Sequence, residues 1–599
     1  MLLRQWLLQL RQITLLNRAL MNLELQKGSR SKILAAIVLG TMAIFVIRLF
    51  YLQIIQHDYY VGLAHDTQVK RLTIPSKRGL IYALDGQTPV PLVMNQDVYT
   101  VFADPLIVNE DDKIIDTVKR IAGGNARENL QELLDKKNSR YQILATRVTR
   151  LQANKIKAED LSGIGFQEVS ERVYPEGSLA AQTLGYLNFE GIANYGVESK
   201  LDKRLTGVDG LLQSVTDVSD VPLTIGNDNI NRPAVNGENI VLSIDRNVQF
   251  HVEQALDDGL KRTGATRGSA IMVDPQSGKI LAMANLPTYS PSKFYEVKDA
   301  AAFNNGVVSA PYEPGSDVKT LTMATGIDKG VVTANSTYDN KDYIQVDDRI
   351  ISNATLGQTG TITFQHALNW SLNTGFVTVA QRLGDGKSIT RGARDIMYDY
   401  FYNKFHLGQL TGVEVAGEIK GTVISPATEE GNAVRYSNMA FGQGLDVTMV
   451  QVAAAFNSIV NGGKYYIPTV LAGVVDKDGK YIPDKPSTPT TSISKSAADQ
   501  VREMTHVARN TFFSSVDKAG YYIGGKTGTS QVIINGNYST DETVGTYLGY
   551  GGTENVSKYV IMVQVSGDHK TLQGARDALP IFTDISNWML DYIKLQPKG

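Results

Sequence analysis

Ser316 and Lys319, in the stretch Glu313-Pro314-Gly315-Ser316-Asp317-Val318-Lys319, have types and spacing that suit nucleophilic chemistry. If a helix starts after the Pro-Gly turn, positions i and i+3 lie on one face and the two side chains can touch. Free serine is a weak nucleophile near neutral pH. A lysine that is desolvated, or held beside another cation, can be neutral and accept its proton. Ser316 would also lie in the first helical turn, where backbone N–H groups and the helix dipole favour negative charge. The spacing alone does not select this pair, because the same S-x-x-K pattern starts at Ser29, Ser290, Ser492 and Ser515. For those four a solvated helical pair is the simpler reading.

Context selects Ser316. Ser371-Leu372-Asn373 follows it by 55 residues, and Lys526-Thr527-Gly528-Thr529-Ser530, which holds the only K-T-G in the chain, begins 155 residues later. None of the other four serines has these partners in this order and at this spacing.

The elements that must position these residues come from a chain of 599 residues with 42% hydrophobic and 20% charged side chains, an ordinary globular balance with room for several domains. A net charge of −2 lacks the basic excess of nucleic-acid binding. The absence of cysteine excludes disulfides, thiolate metal sites and cysteine nucleophiles, and suits an extracytoplasmic bacterial protein. The seven histidines are scattered, with no H-E-x-x-H and no pair at helical metal-ligand spacing, so neither a metal nor another cofactor is expected.

Residues 1–32 form a basic tail in which Arg4, Arg11 and Arg18 recur along one helical stripe beside Trp6, Leu7 and Leu10. A helix lying on an anionic membrane face and a flexible tail both fit. Residues 33–55 are almost wholly apolar apart from Arg48 and Gln53, long enough to span a hydrocarbon core of ~30 Å. The basic flank places the N-terminus in the cytoplasm, and Phe50-Tyr51-Leu52 supplies no small-residue cleavage site, which favours an uncleaved single-pass anchor. Residues 56–232 mix strand-like runs such as Tyr99–Phe102 with a helical stretch from Ile114 to Lys137, a folded spacer without a catalytic cluster. From 233 to 599 the pattern predicts a sheet with packed helices. It comprises a strand at Ile240–Ile244, a helix at Asn247–Leu260 and a hairpin with arms at Ala270–Val273 and Ile280–Ala284. Further helices are expected over Ser316–Asp328, Thr363–Leu383 and Thr448–Asn461.

Together, S-x-x-K, S-x-N and K-T-G resemble the three active-site motifs of the penicillin-binding and serine β-lactamase superfamily. Peptide acyl transfer needs a nucleophile, a proton route, a carboxylate clamp and an oxyanion hole. The resemblance implies that Lys319 takes the proton of Ser316, Ser371 relays it towards the leaving amine and Asn373 holds the substrate amide. Lys526, Thr527 and Thr529 would grip the carboxylate of a D-alanyl terminus, with Gly528 letting the backbone come close, and the N–H groups of Ser316 and Thr529 would form the oxyanion hole.

The likeness covers roughly residues 30–590 and is to class B penicillin-binding proteins, membrane-anchored monofunctional DD-transpeptidases. The pedestal carries Arg78-Gly79-Leu80-Ile81-Tyr82, Arg172-Val173-Tyr174-Pro175-Glu176-Gly177, Leu184-Gly185-Tyr186 and Gly196-Val197-Glu198, and the catalytic part carries Phe441-Gly442-Gln443-Gly444. The implied fold is α+β: an N-terminal transmembrane helix, an elongated dimerisation-type pedestal and a transpeptidase domain with an antiparallel sheet flanked by helices. The implied substrate is the stem peptide of peptidoglycan or its lipid-linked precursor, with β-lactams acylating the same serine and a polytopic glycan polymerase as membrane partner. The Glu-Pro-Gly-Ser context and compact pedestal are more like the septal than the elongation type. A β-lactam-hydrolysing or β-lactam-sensing protein, or a catalytically idle scaffold, would share the motifs. Three departures stand out. Ala83-Leu84 replaces the usual Asp-Arg pair of the pedestal. Asp317 follows the nucleophile where threonine is commoner, and its charge is expected to raise the pKa of Lys319. Arg576-Asp577 makes the glycine-rich segment from Gly574 to Phe582 unusually charged.

Overall fold

The computed structural model describes residues 29–60, 69–215, 230–534 and 536–598, so the basic stripe at Arg4, Arg11 and Arg18 lies outside the described residues. The chain divides into two compact units, Met1–Pro75 with Asp209–Ala234, and Ser76–Val208 with Val235–Gly599. In the first, the helix Ser29–Phe50 continues through one π turn, Tyr51–Ile55. The span Arg30–Ile55 contains an 18-residue window of mean hydropathy 2.5, none of it buried in the protein, and is long enough to cross a bilayer. The same unit has a three-stranded antiparallel sheet of Val69–Ile74, Gly210–Val215 and Ile230–Arg232.

The second unit opens with a hairpin of β1 (Ile81–Asp85) and the long β2 (Thr88–Ala103), turning at Gly86 with φ +63°. The second part of β2 pairs with β3 (Gln142–Thr149) from Val98 to Ala103 and with β4 (Ile164–Val173) from Met94 to Ala103. The expected helix from Ile114 to Lys137 is broken into Asp111–Ala122 and Leu130–Leu134. Gly123, at φ +58°, ends the first segment in a conformation that glycine adopts without a Cβ clash. Strand β5 (Asn239–Asp245) then pairs in parallel with β1 on one side and antiparallel with Leu471–Val475 on the other. The seven-stranded sheet therefore runs without interruption from residues of the spacer to residues of the C-terminal region.

Helix α1 (Arg246–Thr263) is capped by the Asp245 carboxylate, which accepts from the N–H groups of Asn247 and Val248. The hairpin of β6 (Arg267–Val273) and β7 (Ile280–Leu286) forms at the Asp-Pro-Gln-Ser-Gly turn, as its turn residues predict. The remaining elements are helices α2 (Lys319–Asp328), α3 (Phe364–Asn369), α4 (Asn373–Arg382), α5 (Met449–Val460) and α6 (Lys495–Phe513), strands β8 (Tyr522–Ile534), β9 (Asn537–Gly552) and β10 (Ser557–Ser566), and helix α7 (Leu579–Tyr592). The five-stranded antiparallel sheet has the order β7-β6-β10-β9-β8, which puts the K-T-G strand β8 at an edge.

Strand alternation divides two cores across that sheet. Ala270, Met272, Ile561 and Val563 pack with Leu256 of α1 and with Ile581 and Phe582 of α7. Ile271, Val273, Val560 and Met562 face the opposite side, where Leu321 and Met323 of α2, Val450 of α5 and Met504 of α6 complete the layer. Every residue of α2 from Lys319 to Ile327 is buried, as expected for a helix without a polar face. Burying Leu321 and Met323 contributes roughly 1.5–3 kcal/mol each. This anchorage fixes the helix on whose N-terminal end the nucleophile sits.

Candidate active site

The Ser316 turn is a single 3-10 turn, Gly315–Val318, that runs directly into α2. Backbone proximity demands glycine on both sides of it. Gly315 has φ +56° and donates its N–H to Gly442 O at 2.9 Å, and a Cβ on Gly442 would lie 1.8 Å from Gly315 O. Glu313 fastens the turn further: its Oε1 accepts from Gly444 N at 2.6 Å and from Tyr538 Oη at 3.0 Å. The nucleophile turn is thus held by the Phe-Gly-Gln-Gly loop and by the β8–β9 hairpin together.

Ser371 reaches the same point through a break in the helix expected over Thr363–Leu383. Helix α3 stops at Asn369 and α4 starts at Asn373. Between them Leu372 N donates to Ala367 O at 2.9 Å and Ser371 N to Leu368 O at 3.2 Å. That pair of bonds is a Schellman termination with Ser371 at its left-handed position, φ +55°. Glycine usually fills that position, and a left-handed serine costs on the order of 1 kcal/mol or more. The surrounding packing supports the strain, since Leu372 and Phe376 are fully buried.

Ser371 Oγ is the centre of the hydrogen-bond network. It lies 3.0 Å from Ser316 Oγ and accepts from Lys526 Nζ at 2.8 Å, with Lys319 Nζ 3.1 Å away. Lys319 Nζ also donates to Ser371 O at 2.6 Å and Asn373 Oδ1 at 2.8 Å. A neutral lysine has two N–H donors and one lone pair. Its two shorter contacts suit the donors, and the lone pair then faces Ser371 Oγ. Hydroxyl protons rotate, so the Ser316–Ser371–Lys319 chain can pass a proton from nucleophile to amine. This differs from direct transfer between Ser316 and Lys319, because the lysine is drawn towards Ser371 and Asn373.

Asn373 also departs from its expected task. Its Oδ1 serves Lys319 and its Nδ2 donates to Ser352 O at 2.9 Å, leaving one N–H and one lone pair for a ligand. On β8, Lys526 Nζ donates to Thr527 O at 2.9 Å and Thr527 Oγ1 at 3.3 Å. Gly528 lies beneath them, where a Cβ would meet Thr546 Oγ1 at 2.2 Å. Thr529 is exposed, its Oγ1 accepts from Gly574 N at 3.2 Å, and its backbone borders Gly315. The structure thus brings together Ser316, Lys319, Ser371, Asn373, Lys526, Thr527, Gly528 and Thr529.

Burial pushes the Lys319 ammonium well below the usual lysine range, and the nearby Lys526 pushes it further. Burial likewise lowers Lys526, but Asp317 acts against that shift. Asp317 is fully buried, and burial raises its pKa while the Thr546 hydroxyl and Lys526 oppose the rise. The expectation that Asp317 holds a proton on Lys319 therefore fails: its Oδ2 accepts from Thr546 Oγ1 at 2.7 Å, and its field acts on Lys526. Sequence reasoning missed Thr546 because it carries no motif, and only the β8–β9 register places it opposite Gly528. Arg576 and Asp577 pair with each other, and Asp577 Oδ2 accepts from Gln573 N at 2.7 Å. Their charges brace the turn that places Gly574 against Gly528.

The sequence matches the family described as penicillin binding protein transpeptidase domain over residues 268–587, and the penicillin-binding protein dimerisation domain over residues 73–242. The chain belongs to the class B penicillin-binding proteins. It is 28% identical over 585 residues to stage V sporulation protein D of Bacillus subtilis, covering 95% of this chain and 87% of the relative. Against peptidoglycan D,D-transpeptidase FtsI of Buchnera aphidicola the identity is 25% over 576 residues, covering 94% and 95%. The crystal structure of penicillin binding protein 2X from Streptococcus thermophilus shares the fold, with a TM-score of 0.70 and 23% identity over 88% of this chain and 80% of that one.

In this penicillin-binding protein the pedestal motifs converge on Glu198, which is fully buried. Arg78 Nε donates to Glu198 Oε2 at 2.8 Å and Arg172 Nε to Glu198 Oε1 at 2.7 Å, while Arg78 also pairs with Asp202 at 2.7 Å. Ala83 and Leu84 take no part, so their departure from the family pattern leaves these ion pairs intact. Ala83 is instead an apolar residue of β1 with no exposed surface.

Proposed function

We propose that this chain is a serine DD-transpeptidase that cross-links peptidoglycan stem peptides in septal wall synthesis through a Ser316 acyl-enzyme. The observation that carries the reading is the convergence of Ser316, Lys319 and Lys526 on the single hydroxyl of Ser371. Ser316 Oγ attacks the penultimate D-alanyl carbonyl carbon as its proton passes through Ser371 to Lys319. The oxyanion is held by the N–H groups of Ser316 and Thr529. The peptide C–N bond then breaks, and the proton returns through Ser371 to the departing D-alanine amine. An amine of a neighbouring stem attacks the ester carbon, gives its proton to the same relay and releases Ser316. Lys526, Thr527 and Thr529 hold the terminal carboxylate, with Gly528 keeping the strand close, and Asn373 orients the stem while fixing Lys319.

Residues 33–55 serve as a single-pass anchor with the N-terminal tail in the cytoplasm and the pedestal and transpeptidase regions outside, near residues 56–232 and 233–599. The exposed apolar side chains of the anchor suit contact with lipid and with a polytopic glycan polymerase. The septal assignment draws on the relative named FtsI and on the sporulation relative, and mid-cell localisation tests it.

Fluorescent penicillin is expected to label the full-length protein stoichiometrically and persistently, with mass spectrometry placing the adduct on the peptide that contains Ser316. Rapid turnover of a chromogenic cephalosporin, or an adduct elsewhere, overturns the assignment. The acylation rate is expected to be bell-shaped in pH. Lys319 must be neutral to accept the proton, so the rate rises as pH climbs through its depressed pKa. Lys526 must be charged to hold the carboxylate, so the rate falls as pH passes its own, less depressed pKa. Stopped-flow acylation across the neutral range reads both limbs.

A further inference from the structure

Helix α4 begins at Asn373 without a cap of its own, because the residue before it is Leu372, whose side chain cannot accept a hydrogen bond. The missing acceptor comes from 21 residues upstream, where Asn353 Oδ1 accepts from Thr374 N at 3.0 Å as an N-cap side chain would. The residue before Asn353 is Ser352, the last of the hairpin formed by Tyr343–Val346 and Arg349–Ser352, and its carbonyl accepts from Asn373 Nδ2 at 2.9 Å. Two adjacent residues thus clasp two adjacent residues. On the acyl-enzyme reading, on which this inference rests, Asn373 meets Lys319 through Oδ1 and the stem peptide through its remaining N–H. We propose that Asn353 is a positioning residue for acyl transfer: it caps α4 from outside the helix and, with the Ser352 carbonyl, fixes the angle at which Asn373 presents its amide to Lys319 and to substrate.

The surrounding groups leave Asn353 one orientation. Its Nδ2 donates to Asp342 Oδ1 and to Asn340 Oδ1, each at 3.2 Å. A carboxylate only accepts and a backbone N–H only donates, so the amide oxygen must face Thr374 N. The acceptors are braced in turn. Asn340 Nδ2 donates to Gln358 O at 2.7 Å, Gly357 N to Asp342 Oδ2 at 2.6 Å and Asn353 N to Asp342 O at 2.9 Å. Thr374 closes the network, with its Oγ1 2.8 Å from Asn340 Oδ1 and 3.1 Å from Asn353 Oδ1. Asn340, Asn353 and Thr374 are only 1%, 5% and 2% exposed, so a partner lost here is not freely replaced by solvent. Asn353 therefore holds the second residue of α4, while the hairpin carbonyl beside it holds the side chain of the first. Without Asn353 Oδ1 the first turn of α4 is released, and Asn373 Oδ1 loses the placement that sets it 2.8 Å from Lys319 Nζ. A shift on the order of 1 Å in a group that positions reacting atoms can slow a reaction by as much as ~10²-fold.

The test measures acylation of the full-length protein by benzylpenicillin, per folded molecule, for Asn353→Ala, Asn373→Ala and the double variant. Asn353→Ala is expected to lower the first-order acylation constant about tenfold and Asn373→Ala about a hundredfold. Because Asn353 acts through Asn373, the double variant is expected to match Asn373→Ala within about threefold, which a general loss of stability would not produce. Losses that multiply, or an Asn353→Ala chain within about threefold of native, overturn the proposal. Asn353→Asp covers the case in which the alanine variant does not fold. Below neutral pH the new carboxyl and that of Asp342 share one proton, which supplies a donor towards Asp342 and keeps an oxygen for Thr374 N. At that pH the variant is expected to acylate within about threefold of the native chain, and a larger loss overturns the capping role. A native protein that benzylpenicillin does not acylate at Ser316 refutes the acyl-enzyme reading itself. A native protein acylated at Ser316, with variants that fail these expectations, refutes only the role of Asn353.

Discussion

Replacing Lys319 by alanine is expected to slow acylation of Ser316 by fluorescent penicillin by about 10³–10⁴-fold while the protein stays folded. Lys319 holds the end of the proton route, and without it Ser316 is left with the Ser371 hydroxyl, itself held by the Lys526 ammonium, and neither group is a base at neutral pH. The stability change is expected to be small because two effects oppose each other. Removing the lysine strands Ser371 O and Asn373 Oδ1 without their donor, at about 1–3 kcal/mol for a buried acceptor. It also removes an amine whose burial is costly in its charged form. Rate and thermal midpoint measured on the same sample separate the two. A variant that acylates within tenfold of the native rate would remove Lys319 from the mechanism.

The corresponding stability experiment lies in the pedestal. Glu198→Ala leaves Arg78 and Arg172 facing a cavity, and breaking a buried ion pair by removing one partner costs about 3–5 kcal/mol. Glu198→Gln should cost less, because an amide oxygen still accepts from one arginine. Neither change touches a residue of the Ser316 site, so penicillin acylation per folded molecule should stay near the native value. Chemical denaturation gives the free energies. A cost below about 1 kcal/mol for the alanine variant would show that water replaces the carboxylate and that the cluster contributes little.

Much of the site was legible because its three motifs are chemically specific in combination, and the hairpin at Asp274–Gly278 followed from turn residues alone. Local rules failed where a local preference was overridden. Nothing in Trp370-Ser371-Leu372 signals a helix stop, since the left-handed position holds serine instead of glycine, and packing around Leu372 enforces what propensity does not. Other features depend on register and were out of reach. Arg78, Arg172 and Glu198 were read as separate pedestal motifs, and only the folded chain shows that they form one ionic cluster. Asp317 was misjudged for the same reason. Its neighbour in sequence is Lys319, but its neighbour in space is a strand more than two hundred residues away.

The parallel pairing of β5 with β1 has a consequence for how the protein can be divided. Strands β2, β3 and β4 extend the same sheet outward from β1, so β1 is the strand through which the pedestal's part of the sheet joins β5. A chain begun at residue 233 would keep the Ser316 machinery but strip β1 from β5, baring a row of backbone donors and acceptors along a hydrophobic strand. Such an edge invites self-association. The pedestal is therefore a folding partner of the transpeptidase region, and the natural place to separate the protein from its N-terminal apolar helix lies before residue 76.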